Sequence, residues 1–124
     1  MNKYISETEL KTLSEKEILQ PFSSEGQDFV RLSQDYKKLP RGTVFYDGGC
    51  VPGYPHIMRV LHLSRGINRY LKDSKFFVEE KMDGYNVRIV RIKERIMAFT
   101  RGGFICPFTT DRIPDLIDSR FFDR

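Results

Sequence analysis

The chain has 124 residues, of which 40% are hydrophobic and 13% aromatic. This length suits one domain, and the apolar content can form a buried core, which excludes an intrinsically disordered chain. The net charge of +4 is too small to identify a nucleic-acid partner by itself, but residues 57–101 hold eleven basic and five acidic residues. Because local cation density attracts anions, this stretch suits a phosphate-bearing ligand, and an ordinary solvated sheet face with surface cations fits it equally well.

Cysteine content and hydropathy predict a cytoplasmic protein with no membrane partner. Only Cys50 and Cys106 are present, and they lie far apart, which argues against the disulfide framework of a secreted domain. The first ten residues lack a signal-peptide apolar run, and no stretch approaches the roughly 20 apolar residues that span a bilayer. A metal set of these cysteines with His56 and His62 is a weak alternative, since the spacing matches no zinc signature.

The first 40 residues are predicted to form a helical segment without catalytic residues. Ser6 and Glu9 have the spacing of a capping box, as do the residues at 14 and 17. A second helix is predicted to end before Pro40. Its inner face would consist of three residues: Phe29, Leu32 and Tyr36.

The remainder, residues 41–124, is predicted to be mainly β structure. A short strand at Val44–Tyr46 precedes a turn-rich loop, residues 57–63 could form a strand, and residues 64–71 a short helix. Three runs rich in β-branched and aromatic residues then predict an antiparallel meander: 76–78, 85–92 and 96–100. A last helix is predicted from Asp111. The expected fold class is α+β, with antiparallel strands and flanking helices.

A lysine before a tight turn marks the segment with candidate chemistry. Lys81 precedes Asp83 and Gly84, and the next strand would return Asn86 and Arg88 alongside it. A lysine amine is nucleophilic only when neutral, so burial, nearby cations such as Arg88 or Arg101, or a bound metal ion must favour loss of its proton. Taken alone, such a lysine is also typical of a surface ion pair.

A second motif, Thr100-Arg101-Gly102-Gly103, follows about twenty residues later. A guanidinium group beside bare backbone amides suits ribose hydroxyls and phosphate oxygens. By itself this motif is as typical of a plain turn.

Together the two motifs resemble those of the covalent nucleotidyltransferases, the superfamily of ATP-dependent DNA and RNA ligases and mRNA capping enzymes. Lys81-Met82-Asp83-Gly84 is similar to motif I, KxDG, and Thr100 to Gly103 resembles motif Ia. The runs GluGluLysMetAspGlyTyrAsn, ThrArgGlyGlyPhe and CysProPheThrThr most resemble the archaeal-type ATP-dependent RNA ligases. The resemblance extends from about Tyr54 to Leu116.

This resemblance implies an ATP-dependent RNA ligase that joins 5′-phosphate and 3′-hydroxyl RNA ends. Lys81 would attack the α-phosphorus of ATP to give lysyl-AMP, AMP would pass to the RNA 5′-phosphate, and the 3′-hydroxyl would displace it. By position, Glu79 or Glu80 would contact the adenine amino group. Arg101, with Thr100 beside it, would contact the AMP ribose or the RNA 5′-phosphate.

The resemblance also implies a role for Asn86, which stands where DNA ligases commonly have arginine. This favours an RNA substrate and a place near the phosphate or the incoming hydroxyl. Asp83 would order the turn. ATP and Mg²⁺, or Mn²⁺, are the implied cofactors, but the metal ligands belong to later motifs of the family, so no residue is assigned to the metal.

The resemblance further implies an incomplete ATP-grasp-like nucleotidyltransferase domain. Residues 1–124 would form one partial domain, the N-terminal part of an adenylyltransferase domain, composed of the segment 1–40 and a front half, 41–124, with motifs I and Ia. Without the later motifs we expect no activity from this part alone. Open sheet edges would favour self-association.

Two other functions remain open. A noncatalytic RNA-binding module would use the basic stretch together with aromatic side chains such as Tyr70, Phe76 and Tyr85. A GTP-using enzyme of the capping type is also compatible with motif I, although Asn86 and the ThrArgGlyGlyPhe run argue against it.

Overall fold

The computed structural model describes residues 5–55, 57 and 60–122, and its mixed α+β architecture confirms the predicted fold class. The N-terminal part contains helix α1 and four strands: α1 Glu7–Glu15, β1 Leu19–Ser24, β2 Gln27–Leu32, β3 Val44–Tyr46 and β4 Gly49–Val51. The C-terminal part contains two short helices, a hairpin and a final 3-10 turn: α2 Leu63–Gly66, its π-helical continuation Ile67–Leu71, β5 Val87–Ile92, β6 Arg95–Thr100, α3 Pro107–Leu116 and Ser119–Phe122.

The predicted capping box at the start of α1 is confirmed. The side chain of Ser6 accepts a hydrogen bond from Glu9 N, and the Glu9 carboxylate accepts one from Ser6 N at 3.0 Å. The second predicted box, at 14–17, starts no helix, because α1 already ends there and Glu17 adopts a φ of 54°. This turn directs the chain into β1.

The predicted second helix is wrong, since β1 and β2 form an antiparallel hairpin there. Glu25 and Gly26 reverse the chain with φ angles of 51° and 74°. The pairing places Phe22 opposite Phe29, with their rings stacked at 5.2 Å. Cross-strand contact therefore outweighed the helical spacing of the apolar residues. Within residues 5–40, the described part of the segment 1–40, the only helix is α1, and the separation of this segment from 41–124 stays a prediction.

The first four strands form one antiparallel sheet in the order β1-β2-β3-β4. The predicted strand Val44–Tyr46 is confirmed as β3, which pairs with β2 on one side and β4 on the other. Helix α1 packs on this sheet through a buried cluster that includes Leu13, Leu32 and Phe45. Burying these side chains supplies the main stabilisation of this part of the fold.

The second sheet is the hairpin β5-β6, which confirms two of the three predicted strands of the meander. The chain reverses at Lys93, which has a φ of 55°. No strand forms at 76–78, where Phe77 is 92% and Val78 88% exposed. The described residues of 57–63 also form no strand, and Leu63 is the first residue of α2. Apolar and β-branched residues need a strand partner, and the described chain places none beside them.

The two sheets meet through aromatic packing. Phe29 of β2 lies edge to face with Phe99 of β6 at a centroid distance of 5.8 Å, and both rings are buried. Such pairs contribute about 0.5–1.5 kcal/mol beyond their buried area. The hairpin is therefore held against the N-terminal sheet as part of one core.

Helix predictions in the C-terminal part are partly confirmed. The short helix predicted for 64–71 corresponds to α2 and its π-helical continuation. The last helix begins at Pro107, four residues earlier than predicted, because proline is compatible with a first helical turn that needs no N–H. Pro114 lies inside this helix. Within the described ranges, each helix is too short or too polar to cross a bilayer.

Candidate active site

One end of the β5-β6 hairpin gathers three of the predicted site residues. Val87 pairs with Thr100, so Asn86 immediately before β5 and Arg101 immediately after β6 leave the hairpin at the same end. Asn86 and Arg101 are exposed, and Thr100 is half-buried. The hairpin thus brings together, at one end, residues that are fourteen and fifteen positions apart in the chain.

The loop after β6 is closed by short hydrogen bonds around Thr100. Thr100 N donates to Phe104 O at 2.8 Å, and Gly103 N donates to Thr100 O at 3.0 Å. Gly103 has a φ of 81°, which a glycine adopts at little cost. This tight loop fixes the backbone that carries Arg101.

Arg88 connects the hairpin to the loop before β3. Its guanidinium donates to Gly42 O at 2.9 Å, to Thr100 O at 2.8 Å, and to Pro52 O. Burial lowers the pKa of Arg88 below its ordinary value. Its donors are committed to backbone carbonyls, so Arg88 holds the site together and is not available as a free cation beside Lys81.

The loop around Gly42 lies directly against the motif Ia loop. Gly42 has a φ of 80°, and a Cβ atom there would lie 2.1 Å from Arg101 O. A Cβ on Gly103 would lie 2.8 Å from Gly42 O. Only glycine at these positions allows the two backbones to approach so closely.

A cavity of about 500 Å³ opens beside this contact and is lined by two cations. We call it the arginine cleft, and its described lining residues are Asp35, Arg41, Tyr54, Arg101 and Gly102. Sequence reasoning identified Arg101 as a site residue but missed Arg41 and Asp35. No local motif marks them, since they reach the cleft only through the pairing of β2 with β3 and the packing of the two sheets.

The segment with Lys81 has no regular secondary structure. Glu79, Glu80 and Lys81 are exposed and form no hydrogen bond or ion pair within the described chain. The predicted strand that would deliver the lysine to the turn is absent. Asp83 Oδ1 accepts from Gly84 N at 3.0 Å, as expected of a residue that orders the turn. The structure therefore places Asn86, Thr100 and Arg101 at the same end of the hairpin. Within the described chain, no hydrogen bond or ion pair connects them to Lys81.

A polar contact links motif I to the start of α3. The hydroxyl of Tyr85 lies 3.0 Å from Thr109 Oγ1 and 3.7 Å from Cys106 Sγ. Hydrogen bonds with Thr109, and then with Tyr85, lower the pKa of the Cys106 thiol. The CysProPheThrThr run thus contacts Tyr85, the residue that follows motif I. Thr109 was not predicted as a site residue, but it belongs to this run, which is part of the sequence resemblance.

The metal ion implied by the resemblance does not fit the residues that are described. Among them, no three His, Cys, Asp or Glu side chains cluster as metal ligands would. Cys50 and Cys106 are free thiols. His56, part of the alternative zinc set, lies outside the described residues. We therefore assign no chemical step to a metal held by this part of the chain.

Comparisons with known proteins agree with the motifs. Residues 74–119 match the family model for RNA ligase, a range that contains Lys81, Asn86 and Arg101. An archaeal ATP-dependent RNA ligase of known structure, form 1, is 34% identical, with a TM-score of 0.77 over 97% of this chain and 33% of that chain. The resemblance to the RNA ligases is confirmed.

Two further relatives extend this result. A protein of Aquifex aeolicus provisionally described as an ATP-dependent DNA ligase is 42% identical, with a TM-score of 0.78 over 92% of this chain and 31% of that chain. An uncharacterized protein of Methanocaldococcus jannaschii is 37% identical over 73% of this chain and 23% of its own length. The ligase-like chain thus spans about a quarter to a third of these relatives.

Proposed function

We propose that this chain is the lysine-bearing part of an ATP-dependent RNA ligase that joins 5′-phosphate and 3′-hydroxyl ends. The observation that carries the proposal is the match of residues 74–119 to the RNA ligase family, because this range contains both the KxDG lysine and the motif Ia arginine. The similarity to an archaeal ATP-dependent RNA ligase supports the choice of ATP and RNA.

In the proposed reaction the neutral amine of Lys81 attacks the α-phosphorus of ATP. A phosphorus–nitrogen bond forms, the bond to pyrophosphate breaks, and the proton of the amine passes to solvent. The RNA 5′-phosphate then attacks the lysyl-AMP and releases Lys81. Finally the 3′-hydroxyl attacks the activated phosphate, AMP leaves, and the strand is sealed.

The surroundings of Lys81 explain why this part needs further groups for the first step. The Lys81 side chain is exposed, and Arg88, on the strand that follows, donates to backbone carbonyls. A charged amine in water does not attack phosphorus. We therefore propose that a bound nucleotide and residues beyond this part complete the environment in which the proton is lost.

We propose specific roles for the residues at the hairpin end. Arg101 and Thr100 contact the AMP ribose or the RNA 5′-phosphate, and the shared end of the hairpin supports placing Asn86 near the same phosphate or the incoming hydroxyl. Glu79 or Glu80 contacts the adenine amino group. The guanidinium group of Arg101 suits contact with phosphate because it can form two parallel hydrogen bonds to phosphate oxygens.

The proposal is tested by labelling with ATP that carries ³²P at the α-phosphate. The chain is assayed alone and within the longest natural reading frame that contains it, with Lys81→Ala as the variant and Lys75→Ala as the matched control. Acid-labile, alkali-stable label on the long form that is lost only in Lys81→Ala supports the ligase. Label from GTP instead of ATP would select a capping-type enzyme, and salt-sensitive RNA binding without label in either form would select a noncatalytic RNA-binding module.

A further inference from the structure

The arginine cleft contains more positive charge than its own carboxylate can balance. Of its described lining residues, Arg41 and Arg101 are cationic and only Asp35 is anionic. Asp35 Oδ1 already accepts a hydrogen bond of 2.6 Å from the backbone N of Arg41. The side chains of Arg41 and Arg101 are exposed and form no ion pair within the described chain.

Two more guanidinium groups reinforce the walls of this cleft. Arg31 donates to Gly102 O at 3.0 Å and lies 3.9 Å above the ring of Phe104. Arg88 lies 5.6 Å from the ring of Tyr54. Neither guanidinium is paired with a carboxylate in the part of the chain that is described. Two cations therefore line the cleft with a single carboxylate, and two more contact its lining residues Gly102 and Tyr54.

The titration of Arg31 agrees with an excess of positive potential. Burial lowers the pKa of Arg31, and the charge of Arg41 lowers the pKa further. Repulsion between two cations is relieved when an anion binds between or beside them. A phosphate is the anion that a planar guanidinium binds in two-pronged geometry.

We propose that the arginine cleft binds a phosphodiester of the RNA strand through Arg41, beside Arg101, which is proposed to contact the AMP ribose or the RNA 5′-phosphate. This inference rests on the proposed RNA substrate. It assigns to the N-terminal sheet a part in holding the strand, because Arg41 lies on the loop that leads into β3 whereas Arg101 follows β6. Asp35 sets the strength of binding, since its charge opposes the incoming phosphate.

The test measures binding of single-stranded RNA with a 5′-hydroxyl and about 12 nucleotides, by fluorescence anisotropy at several salt concentrations. This probe has no terminal phosphate, so only internal phosphodiesters can contact Arg41. We expect Arg41→Gln to weaken binding about tenfold and to reduce the slope of log K against log salt by about one. Arg95→Gln, with the same charge change at the opposite end of the hairpin, should leave the slope nearly unchanged.

A second variant gives an expected gain, which misfolding cannot produce. Asp35→Asn keeps an oxygen that accepts from Arg41 N but removes the negative charge, so RNA binding should tighten about threefold to fivefold. No gain in this variant, or equal losses in Arg41→Gln and Arg95→Gln, would overturn the inference. The inference would also be overturned if the three variants changed the affinity for ATP and left the affinity for RNA unaltered.

The outcome is separable from that of the ligase proposal. Binding that depends on Arg41, in a protein whose Lys81 accepts no label, leaves the cleft assigned and contradicts the ligase. Label on Lys81, in a protein whose RNA affinity is unchanged by the Arg41 and Asp35 variants, supports the ligase and contradicts the assignment of the cleft.

Discussion

The guanidinium of Arg88 donates a hydrogen bond of 2.8 Å to the carbonyl oxygen of Thr100, one residue before the motif Ia arginine. The same side chain donates to Gly42 O in the loop that leads into β3. A single partly buried cation thus fixes the spacing between the two loops that form the arginine cleft. Its role is positional, because three of its five N–H donors bind backbone carbonyls, and its buried Nε atom has no hydrogen-bond partner in the described structure.

Replacing Arg88 should destabilise the fold. Arg88→Met removes hydrogen bonds to three backbone carbonyls, and hydrogen bonds to charged groups contribute about 1.5–3 kcal/mol each in favourable cases. We expect a loss of about 2–4 kcal/mol in the free energy of unfolding, measured by urea denaturation. Arg95→Met removes an exposed ion pair with Glu25 and should cost less than about 1 kcal/mol. Equal losses in both variants would contradict the assigned role.

A Cβ atom at Gly42 should disturb the motif Ia loop. Gly42→Ala combines a φ of 80° with a Cβ position 2.1 Å from Arg101 O, so the two backbones must separate. Gly48→Ala is the control, since Gly48 also has a positive φ, 95°, but has nothing within 4 Å of the added atom. Gly48→Ala should cost about 1–3 kcal/mol from backbone strain alone. Gly42→Ala should cost more, measured as a lower urea midpoint, and similar midpoints would contradict the close approach.

The aromatic joint between the sheets should be essential for stability. Phe99 is fully buried and contacts the ring of Phe29. Phe99→Ala should lower the free energy of unfolding by about 3–5 kcal/mol, because it leaves a cavity at the joint. Phe108→Ala is a suitable control, since that ring is 66% exposed. Thermal unfolding followed by circular dichroism compares the two, and a smaller effect at Phe99 would be inconsistent with this packing.

The hydrogen bonds around Glu9 should give the stability a dependence on acid pH. The hydrogen bond from Lys37 is the largest cause that holds the pKa of Glu9 well below its ordinary value, followed by those from Ser6 and then Tyr36. A depressed carboxyl pKa stabilises the folded state above the unfolded value of 4.5, and this contribution is lost as the pH falls through the folded pKa. The urea midpoint should therefore fall from pH 6 to pH 2 less steeply in Glu9→Gln than in the unaltered chain. Glu7→Gln, which removes a neighbouring carboxylate that forms no bond in the described structure, should keep the steep decline.

The proposed role of Arg101 predicts a defect in one of two reaction steps. In the active long form, Arg101→Ala should reduce lysyl-AMP formation about tenfold or more if it contacts the ribose, or reduce transfer of AMP to RNA by the same factor if it contacts the 5′-phosphate. Quenched reactions with α-labelled ATP, with and without 5′-phosphorylated RNA, separate the steps. Arg112→Ala serves as the control on α3. Normal rates in both steps would contradict the assigned role.

Local sequence signals predicted two elements whose partners lie close in the chain, but they predicted a helix where the equally local β1-β2 hairpin forms. The β5-β6 hairpin has its strands separated by two residues, and the capping box of α1 is complete within four. The arginine cleft could not be predicted in this way, because Arg41 and Arg101 are brought together by two sheets. The apolar run 76–78 was wrongly predicted to be a strand for a related reason, since composition indicates that a strand is possible but not which strand pairs with it.

The close approach of Gly42 and Gly103 also limits how sequences of this type can diverge. Their backbones are in such close contact that a larger residue at either position is tolerated only if the other loop retreats. Substitutions at these two sites should therefore covary among related sequences. A substitution at one site alone would move the two loops apart and shift the guanidinium groups of Arg41 and Arg101 together.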